Sequence, residues 1–206
     1  MGKKIIKYIL TLLVVVFIAY NSVYFKKLSE VKAAAAKVFD PAAYARTYLE
    51  KKLLPAANGA PDADALLSQM KNKPADGFKT NGHALDIGNT RYFMVKGQGM
   101  ITSIDENDVY LTTTGKNNLK IATEYIFGNA LRDAPGIITV NDFTNSMDLN
   151  NVAAEVDKLV RTEVLPPFKS KVKKGDNINF AGAFELNQEH LNLSNIEIIP
   201  VALKIN

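Results

Sequence analysis

The residues best suited to binding chemistry lie in two neighbouring strings, GNALRDAPG (128–136) and VNDFTN (140–145). Arginine offers a planar fork of donors, and aspartate and asparagine add short acceptors and amide groups. Such groups can bind sugar hydroxyls or a carboxylate when they converge on one cleft. The candidate ligand-binding residues are Asn129, Arg132, Asp133, Asn141, Asp142, Thr144 and Asn145.

The same residues also have a purely structural interpretation. Asp and Asn favour turns because their side chains hydrogen-bond to nearby backbone groups. Arg132 could form an internal ion pair with Asp133 or with Asp142. The sequence leaves open whether these groups form a site or hold a connection together.

Motifs for enzyme chemistry are sparse. Neither His83 nor His190 lies in a catalytic or metal-binding motif, and the chain has no Cys, no G-x-S-x-G, no H-E-x-x-H and no phosphate-binding glycine loop. We therefore predict a protein that is not an enzyme, with no cofactor and no metal. The alternative is a carbohydrate-active enzyme that uses Asp133 and Asp142, whose carboxyl groups would then lie about 5–9.5 Å apart in an open cleft.

Charge argues against nucleic acid as a partner. The chain carries a net charge of +4, but five of its 25 Lys and Arg precede residue 28, and all 21 Asp and Glu follow it. Residues 28–206 therefore carry a net charge of −1. A domain that neutralises phosphates needs a basic surface, so we predict no nucleic-acid binding, and a barrel that binds oligonucleotides is the least favoured function.

The N-terminal segment predicts a membrane anchor. From Tyr8 to Phe25 the chain runs eighteen residues without a charge, with lysines on both sides. As a helix this segment would cover roughly 27 Å, close to the roughly 30 Å of a bilayer core. A cleaved signal peptide is the alternative, but small residues suited to a peptidase first occur at Ala33. Lipid attachment would need a Cys.

We therefore predict that residues 1–27 form an uncleaved transmembrane helix in the cytoplasmic membrane. More lysines precede the span than follow it, which favours a cytoplasmic N-terminus and a C-terminal domain in the periplasm.

Residues 28–80 are predicted as a helical stalk and collar. The Ala-rich string from Leu28 to Val38 would continue the anchor, and Asp40-Pro41 is a helix start that Pro55 would end. Asp62 or Asp64 would cap a second short helix, and the string NKPADG would mark the boundary of the next domain.

Residues 81–206 are predicted as a β-barrel domain. The pattern gives one long strand from Arg91, two further strands that reach Phe127, a helix that Pro166 stops, and two final strands. The apolar positions of the last strand are Ile199, Val201, Leu203 and Ile205, with Pro200 requiring an edge or a bulge. This order predicts a mainly β, α+β fold, an OB-like Greek-key barrel.

Four strings resemble a known family. FDPAAY (39–44), LRDAPGIITVNDFTN (131–145), VLPP (164–167) and GAF (182–184) are similar to segments of an uncharacterised family of predicted periplasmic lipoproteins, over roughly residues 39–206. The resemblance implies an envelope protein often encoded near sugar ABC transporters, with no known activity. The chain departs from the family pattern because it lacks the Cys that carries the lipid.

Together these observations predict a non-catalytic, membrane-anchored envelope protein that recognises a small ligand or a protein partner. The expected partners are membrane lipid through the N-terminal helix, and ABC transporter components or a small sugar-like ligand.

Overall fold

The structure is a computed structural model that describes residues 2–22 and 39–206. It divides into two compact units between Phe39 and Asp40. In the first unit, Gly2–Ser22 forms helix α1, and its large apolar side chains from Ile5 to Ile18 are exposed. Across these two ranges, no helix is both long enough and apolar enough to span a membrane.

The predicted transmembrane helix is therefore not supported. Helix α1 includes 21 of the 27 residues of the predicted anchor. The rest of the predicted span, and the predicted stalk from Leu28 to Val38, lie outside the described residues.

Asp40 begins the helical part of the second unit, as predicted. Its side chain accepts hydrogen bonds from the backbone N–H groups of Ala42 and Ala43, each at 3.0 Å. Helix α2 (Pro41–Tyr48) starts with a proline, whose missing N–H would have no intrahelical partner at this position.

The prediction that Pro55 ends this helix is wrong. After α2 the chain forms a π turn (Leu49–Leu53) and continues as α3 (Leu54–Gly59). A proline inside an α-helix removes a donor and collides with the carbonyl group one turn earlier. Here the N–H group of Leu54 bonds to Leu49 O, five residues back, and the wider turn admits Pro55.

Two more helices precede the barrel. Asp62 caps α4 (Ala63–Asn72), as predicted, and accepts a hydrogen bond from the N–H group of Asp64 at 2.9 Å. Helix α5 (Pro74–Asn81) begins within the string NKPADG, with proline at its first position.

The five strands form a closed barrel in the order β1-β2-β3-β5-β4. All neighbouring strands are antiparallel except β3 and β5, which are parallel. The prediction of an α+β fold with an OB-like Greek-key barrel is confirmed. The strands are β1 (Thr90–Ile104), β2 (Asp108–Thr113), β3 (Asn118–Ala122), β4 (Asn177–Asn187) and β5 (Ile196–Ile205).

Aromatic and aliphatic side chains fill the barrel. Phe93 stacks on Phe184 with ring centroids 5.3 Å apart, and Phe78 from α5 meets Phe93 edge-on at 5.4 Å. Leu66 and Met70 from α4 are fully buried in the same core. Because two of the preceding helices contribute to the barrel interior, they fold with it.

A bulge in β5 changes which side chains face outward. Pro200 pairs with Gly182 and Ala202 with Ala181, which leaves Val201 as the extra residue. The predicted bulge at Pro200 is thus confirmed. Gly182 permits the close approach, because a Cβ atom there would collide with Ile199 O.

The start of the last strand was predicted incorrectly. β5 begins at Ile196, and Ile196, Ile198 and Pro200 are buried before the extra residue Val201. Ile199, predicted on the apolar face, is only partly buried. A one-residue shift exchanges the two faces of a strand, so the bulge places Glu197 and Ile199 on the outside.

β3 is also shorter than predicted. It ends at Ala122, and the segment predicted to continue as strand to Phe127 forms a loop. Within this loop Ile126 is buried, whereas Tyr125 and Phe127 are 63% and 66% exposed.

A helical segment connects β3 to β4. Its long helix begins after Asn145, and the predicted stop at Pro166 is wrong because a second π turn precedes that proline in the same way as at Pro55. The elements are α6 (Ala130–Asp133), a 3₁₀ turn (Val140–Asp142), α7 (Ser146–Leu159), a π turn (Val160–Val164) and α8 (Leu165–Lys169).

Asp64 joins α4 to the β2–β3 hairpin. Its carboxylate accepts hydrogen bonds from Gly115 N and Asn117 Nδ2, both at 2.7 Å, and from the hydroxyl groups of Thr113 and Thr114. Burial alone would raise the pKa of Asp64, but these hydrogen bonds outweigh it and the pKa lies below its usual value.

We expect Asp64→Asn to destabilise the protein by about 1–3 kcal/mol at pH 7, because an amide cannot accept all four hydrogen bonds. The lowered pKa means that the charged form stabilises the fold above the unfolded-state pKa of about 3.9, and that this stability is lost as the pH falls through the folded-state pKa. Urea denaturation from pH 7 to pH 3 should therefore show the two proteins converging in acid. Glu106→Gln, at an exposed turn residue, is the control. A constant difference at all pH values would contradict the prediction.

Candidate functional site

The candidate site is a cleft of about 280 Å³ between the outer face of the barrel and the loop that follows β3. We call it the aromatic cleft, and we call residues 123–129 the aromatic loop. The loop contributes two exposed rings and an amide, and β1, β4 and β5 contribute a phenol and two carboxylates. The residues that carry the argument are Tyr92, Tyr125, Phe127, Asn129, Glu185 and Glu197.

Strand register pairs the barrel residues across neighbouring strands. Tyr92 on β1 pairs with Glu185 on β4, and Lys120 on β3 pairs with Glu197 on β5. The pairing of β4 with β5 ends at Ala183 and Ile199, two residues before the acids, and Glu185 and Glu197 line the same cleft.

The charges of these residues do not balance. Lys120 Nζ lies 2.8 Å from Glu197 Oε2 and 3.1 Å from Asp108 Oδ2. The hydrogen bond with Glu197 raises the pKa of Lys120, so this ammonium group stays charged. The side chain of Glu185 has no hydrogen bond or ion pair with any residue in the described ranges. Lys120 thus contacts two carboxylates, and the third, Glu185, has no cation contact among the described residues.

Tyr92 forms the aromatic part of the cleft wall on the barrel. Burial raises the pKa of its phenol, and the negative charges of Glu185 and Asp133 raise it further. Tyr92 is therefore a neutral hydroxyl group with a half-buried ring.

The helical segment holds the middle of the aromatic loop in place. The guanidinium of Arg161 donates to the carbonyl of Ile126 and lies 5.1 Å from the ring centroid of Phe127. The side chain of Ile126 is buried, whereas those of its neighbours Tyr125 and Phe127 are exposed. Exposure of Tyr125 and Phe127 therefore does not come from a loose chain.

Both ends of the loop are fixed as well. The N–H group of Thr123 donates to Asn107 O at 2.8 Å, and Lys169 Nζ donates to Thr123 O at 3.3 Å. At the other end Asn129 Nδ2 donates to Asp86 Oδ2 at 3.4 Å. Gly128 has φ +98°, a conformation that favours glycine.

Arg132 and Asp133, predicted as ligand-binding residues, are instead buried against each other. Arg132 is 1% and Asp133 2% exposed. Arg132 Nε donates to Asp133 Oδ1 at 2.6 Å, and Nη2 donates to Oδ2 at 3.2 Å. Arg132 Nη1 also donates to Asn150 Oδ1 at 3.1 Å. The internal ion pair that the sequence left open is present.

This pair connects several segments. The N–H group of Leu85, from the segment before β1, donates to Asp133 Oδ2 at 3.4 Å. The hydroxyl of Tyr48 on α2 donates to Arg132 O at 3.0 Å, and burial raises the pKa of Tyr48. Asp157 on α7 lies near Arg132 and Arg161; burial raises the pKa of Asp157 to about 7, although both arginines act to lower it.

The remaining predicted residues lie at helix starts. Asp142 accepts a hydrogen bond from Thr139 N at 2.7 Å, and Asn145 caps α7 by accepting one from Asp148 N at 2.8 Å. Thr144 Oγ1 donates to the carboxylate of Asp148 at 3.3 Å, and Asn141 is exposed. Of the predicted residues, Asn129 lines the aromatic cleft.

The geometry required by the enzymatic alternative is not met. That alternative needs Asp133 and Asp142 to face each other across an open cleft. Asp133 is buried with both carboxylate oxygens bonded to Arg132, and Asp142 is exposed at a 3₁₀ turn. In addition, no three His, Asp or Glu side chains in the described ranges are grouped as ligands for a metal ion.

Sequence reasoning missed most of the cleft. Tyr125 and Phe127 were assigned to a strand, and the outward position of Glu185 in β4, between Phe184 and Leu186, was not considered. Strand alternation could have identified Glu185. Glu197 could not be found in this way, because its position depends on the bulge.

Two other depressions can be compared with the aromatic cleft. One of about 250 Å³ shares Glu185 and Glu197 with the cleft and extends under the β4–β5 loop to His190. The other, about 420 Å³, lies beside α3. Its Lys96 donates to Asn58 O at 2.7 Å and its Asp62 caps α4, so the protein itself uses these two charges, whereas the Lys204 side chain in its lining has no ion pair among the described residues. The aromatic cleft adds two exposed rings to an uncommitted carboxylate, and it is therefore the candidate that we develop.

We expect Asp133→Ala to destabilise the protein by about 3–5 kcal/mol, because it leaves the Arg132 guanidinium buried without its counter-charge. The control Asp142→Ala removes only an exposed cap and should cost about 1 kcal/mol. Urea denaturation measures both. If the two losses were equal, the Arg132–Asp133 pair would not have the structural role assigned to it.

Comparison with known proteins supports the fold and identifies the family. The chain is similar to a solved OB-fold protein of Thermotoga maritima MSB8 (TM0957), with 28% sequence identity and a TM-score of 0.71. The alignment covers 82% of this chain and 99% of the solved one. No curated protein matches the chain. Residues 13–204 match the family described as "Predicted periplasmic lipoprotein (DUF2291)", and the chain therefore belongs to this family of unknown function.

Proposed function

We propose that this protein is a non-catalytic recognition protein of the periplasm, and that its aromatic cleft binds a small sugar-like ligand. The observation that carries the proposal is the rigid presentation of two exposed rings, Tyr125 and Phe127, beside the carboxylates of Glu185 and Glu197.

The chemistry of the cleft suits a ring with one apolar face and polar substituents. An aromatic ring packs against the C–H groups of such a ligand, whereas carboxylates accept hydrogen bonds from its polar groups. The amide of Asn129 adds a donor and an acceptor at the same edge. A few polar groups around an apolar surface are typical of small-molecule sites.

The size of the cleft limits the ligand. Ligand pockets usually have volumes of roughly 300–1,000 Å³. At about 280 Å³ the aromatic cleft is just below this range, which favours a ligand the size of one sugar ring.

Rigidity favours binding. A loop that must become ordered on binding reduces affinity, since each immobilised side chain costs about 0.5–1.5 kcal/mol. The aromatic loop is held in advance by Arg161, Lys169 and buried Ile126. Its two rings therefore need little rearrangement to meet a ligand.

The carboxylates support binding rather than hydrolysis. Glycoside hydrolysis uses two carboxyl groups, one as acid and the other as base or nucleophile. Glu197 is paired with Lys120, so Glu185 is the single uncommitted carboxylate of the cleft. Both charged groups that line the cleft are acidic, which also disfavours a nucleic-acid ligand.

We assign membrane association to helix α1. The family description names lipoproteins, but this chain has no Cys to carry a lipid. The exposed apolar side chains of α1, together with the flanking lysines of the sequence, suit contact with lipid. We further propose that the protein assists a sugar ABC transporter at the periplasmic face of the cytoplasmic membrane.

Ligand binding is tested with a panel of sugars and nucleosides by isothermal titration calorimetry. Phe127→Ala and Tyr125→Ala should each weaken sugar binding roughly ten-fold, the loss of about 1–2 kcal/mol of ring contact. Met147→Ala is the control, because Met147 is 70% exposed but lies outside the cleft. Binding of no member of the panel, or equal effects of all three substitutions, would contradict the proposal.

Membrane association and partners are tested by cell fractionation. The full chain should sediment with membranes, and the double variant Leu13→Asp, Val16→Asp should shift it to the soluble fraction, because charged side chains disfavour apolar surroundings. Met147→Asp is the control in the second unit. After solubilisation of wild-type membranes, affinity purification should recover a permease or a solute-binding component. Recovery of neither would contradict the transport assignment.

A further inference from the structure

We propose that the protein has a second binding site, separate from the aromatic cleft, and that this site takes a small organic anion. It is the pocket of about 420 Å³ between helix α3 and the outer face of the barrel, and we call it the α3 pocket. This inference goes beyond the proposed function and does not depend on the ligand of the aromatic cleft.

Strand register builds the floor of the α3 pocket. Lys96 on β1 pairs with Ala181 on β4, and Ala181 pairs in turn with Ala202 on β5. Paired residues of adjacent strands face the same side of a sheet, and Lys96 is exposed, so this row lies on the outer face of the barrel. Two of its three side chains are only methyl groups. The row is therefore low beside Ala57 of α3, which lines the wall.

The next row of the same face supplies polar groups. Gln98 on β1 pairs with Asn179 on β4, and Asn179 pairs with Lys204 on β5. Asn179 Nδ2 donates to Asn206 Oδ1 at 3.0 Å, which holds the Asn179 amide in place. The side chains of Gln98 and Lys204 have no hydrogen bond or ion pair with any residue in the described ranges. An amide and an ammonium group are therefore available at the edge of an apolar floor.

Lys96 adds a second ammonium group, and the protein holds it in position. Its Nζ donates to Asn58 O at the end of α3 at 2.7 Å, and its backbone N–H group donates to Pro61 O at 3.0 Å. A carbonyl group does not neutralise the charge of an ammonium ion. Of the three N–H groups of this ammonium, the described part of the chain leaves two for a ligand.

The charges that line the pocket leave a positive excess. They are those of Lys96, Lys204 and Asp62. Asp62 forms no ion pair with a cation of the described residues, and its Oδ1 accepts hydrogen bonds from Asp64 N at 2.9 Å and Ala65 N at 3.2 Å. One carboxylate thus stands against two ammonium groups. An anion that enters the pocket would bring the missing negative charge.

The cavity distinguishes these lysines from ordinary surface lysines. Ligand pockets usually have volumes of roughly 300–1,000 Å³ and combine apolar walls with a few polar groups. The α3 pocket, at about 420 Å³, lies within this range, and its alanine floor has polar groups on two adjacent rows.

The types of these groups define the class of ligand. A lysine binds as a point charge rather than in a fixed geometry, so a carboxylate or a phosphate group suits both ammonium groups. The amides of Gln98 and Asn179 favour hydroxyl groups on the rest of the ligand. The expected ligand is therefore an anion on a small hydroxylated carbon frame.

Isothermal titration calorimetry of the full chain with D-glucuronate and with D-glucose 6-phosphate tests the inference. These probes carry a carboxylate and a phosphate on the same ring, and D-glucose is the uncharged reference. We expect at least one of the two anions to bind with a Kd below about 1 mM. The anion that binds more tightly identifies the charged group that the pocket prefers.

Two substitutions separate the charge from the cavity. Lys204→Gln should weaken anion binding roughly ten-fold, as for the loss of a hydrogen bond to a charged group, and change D-glucose binding less than roughly two-fold. Ala202→Leu keeps every charge but fills the floor, and it should weaken anion binding at least as much. Lys174→Gln, at an exposed lysine outside the pocket, is the matched control. Circular dichroism verifies that each variant folds.

Failure of both anions to bind would overturn the inference. Equal effects of Lys204→Gln and Lys174→Gln would also overturn it, because they would indicate attraction to surface charge in general. Unchanged binding in Ala202→Leu would exclude the pocket as the site.

The aromatic cleft is separated from the α3 pocket by a further variant. Phe127→Ala should leave anion binding unchanged, whereas a loss equal to that in Lys204→Gln would assign the anion to the aromatic cleft and overturn the inference. Sugar binding at the aromatic cleft can fail while this inference stands, and the reverse also holds, since different variants test the two sites.

Discussion

The structure behind the cleft depends on one buried guanidinium group. Arg132 is 1% exposed, and removal of its charge from water costs several kcal/mol unless bonded partners surround it. Asp133 supplies the counter-charge, and Leu149 O and Asn150 Oδ1 on α7 accept hydrogen bonds from Arg132 Nη1 at 3.5 and 3.1 Å. This requirement fixes α6 against α7. Since the aromatic loop leads directly into α6, the same contacts of Arg132 also fix where that loop ends.

The cleft is thus produced by two systems that meet at its edges. Strand register determines the positions of Tyr92, Glu185 and Glu197, since each position follows from pairing across the barrel. The helical segment determines the opposite wall, because Arg161 reaches from the π turn after α7 to the carbonyl of Ile126. Neither system alone would make a cleft. The barrel face supplies only one wall of the cleft. Without Arg161, the loop would lose the contacts that hold Ile126 and Phe127 in place.

Local signals in the sequence predicted where several elements begin, but they could not predict features that depend on packing, such as the π turns and the end of β3. Asp40 and Asp62 predicted helix starts, and alternation in β4 predicted the barrel strand, because each signal acts within a few residues. Prolines were misread at Pro55 and Pro166, since the π turn before each is a property of the packed helix rather than of the proline. Likewise the end of β3 at Ala122 depends on how the following loop packs against the helical segment, through contacts such as that of Arg161 with Ile126 O. Its residues up to Phe127 are compatible with a strand.

Several of the candidate residues have structural roles that the sequence could not distinguish from ligand binding. Arg132 and Asp133 attracted attention because charged groups are able to bind ligands, but a connection between packed elements needs the same groups for its own hydrogen bonds. Side chains engaged in this way have little capacity left for a ligand. Phe127 and Glu185 have the opposite character: one exposes an apolar ring and the other lacks a partner among the described residues. An apolar ring that is held exposed carries a cost that a bound ligand would remove, whereas the solvated carboxylate of Glu185 is available to accept a hydrogen bond from that ligand.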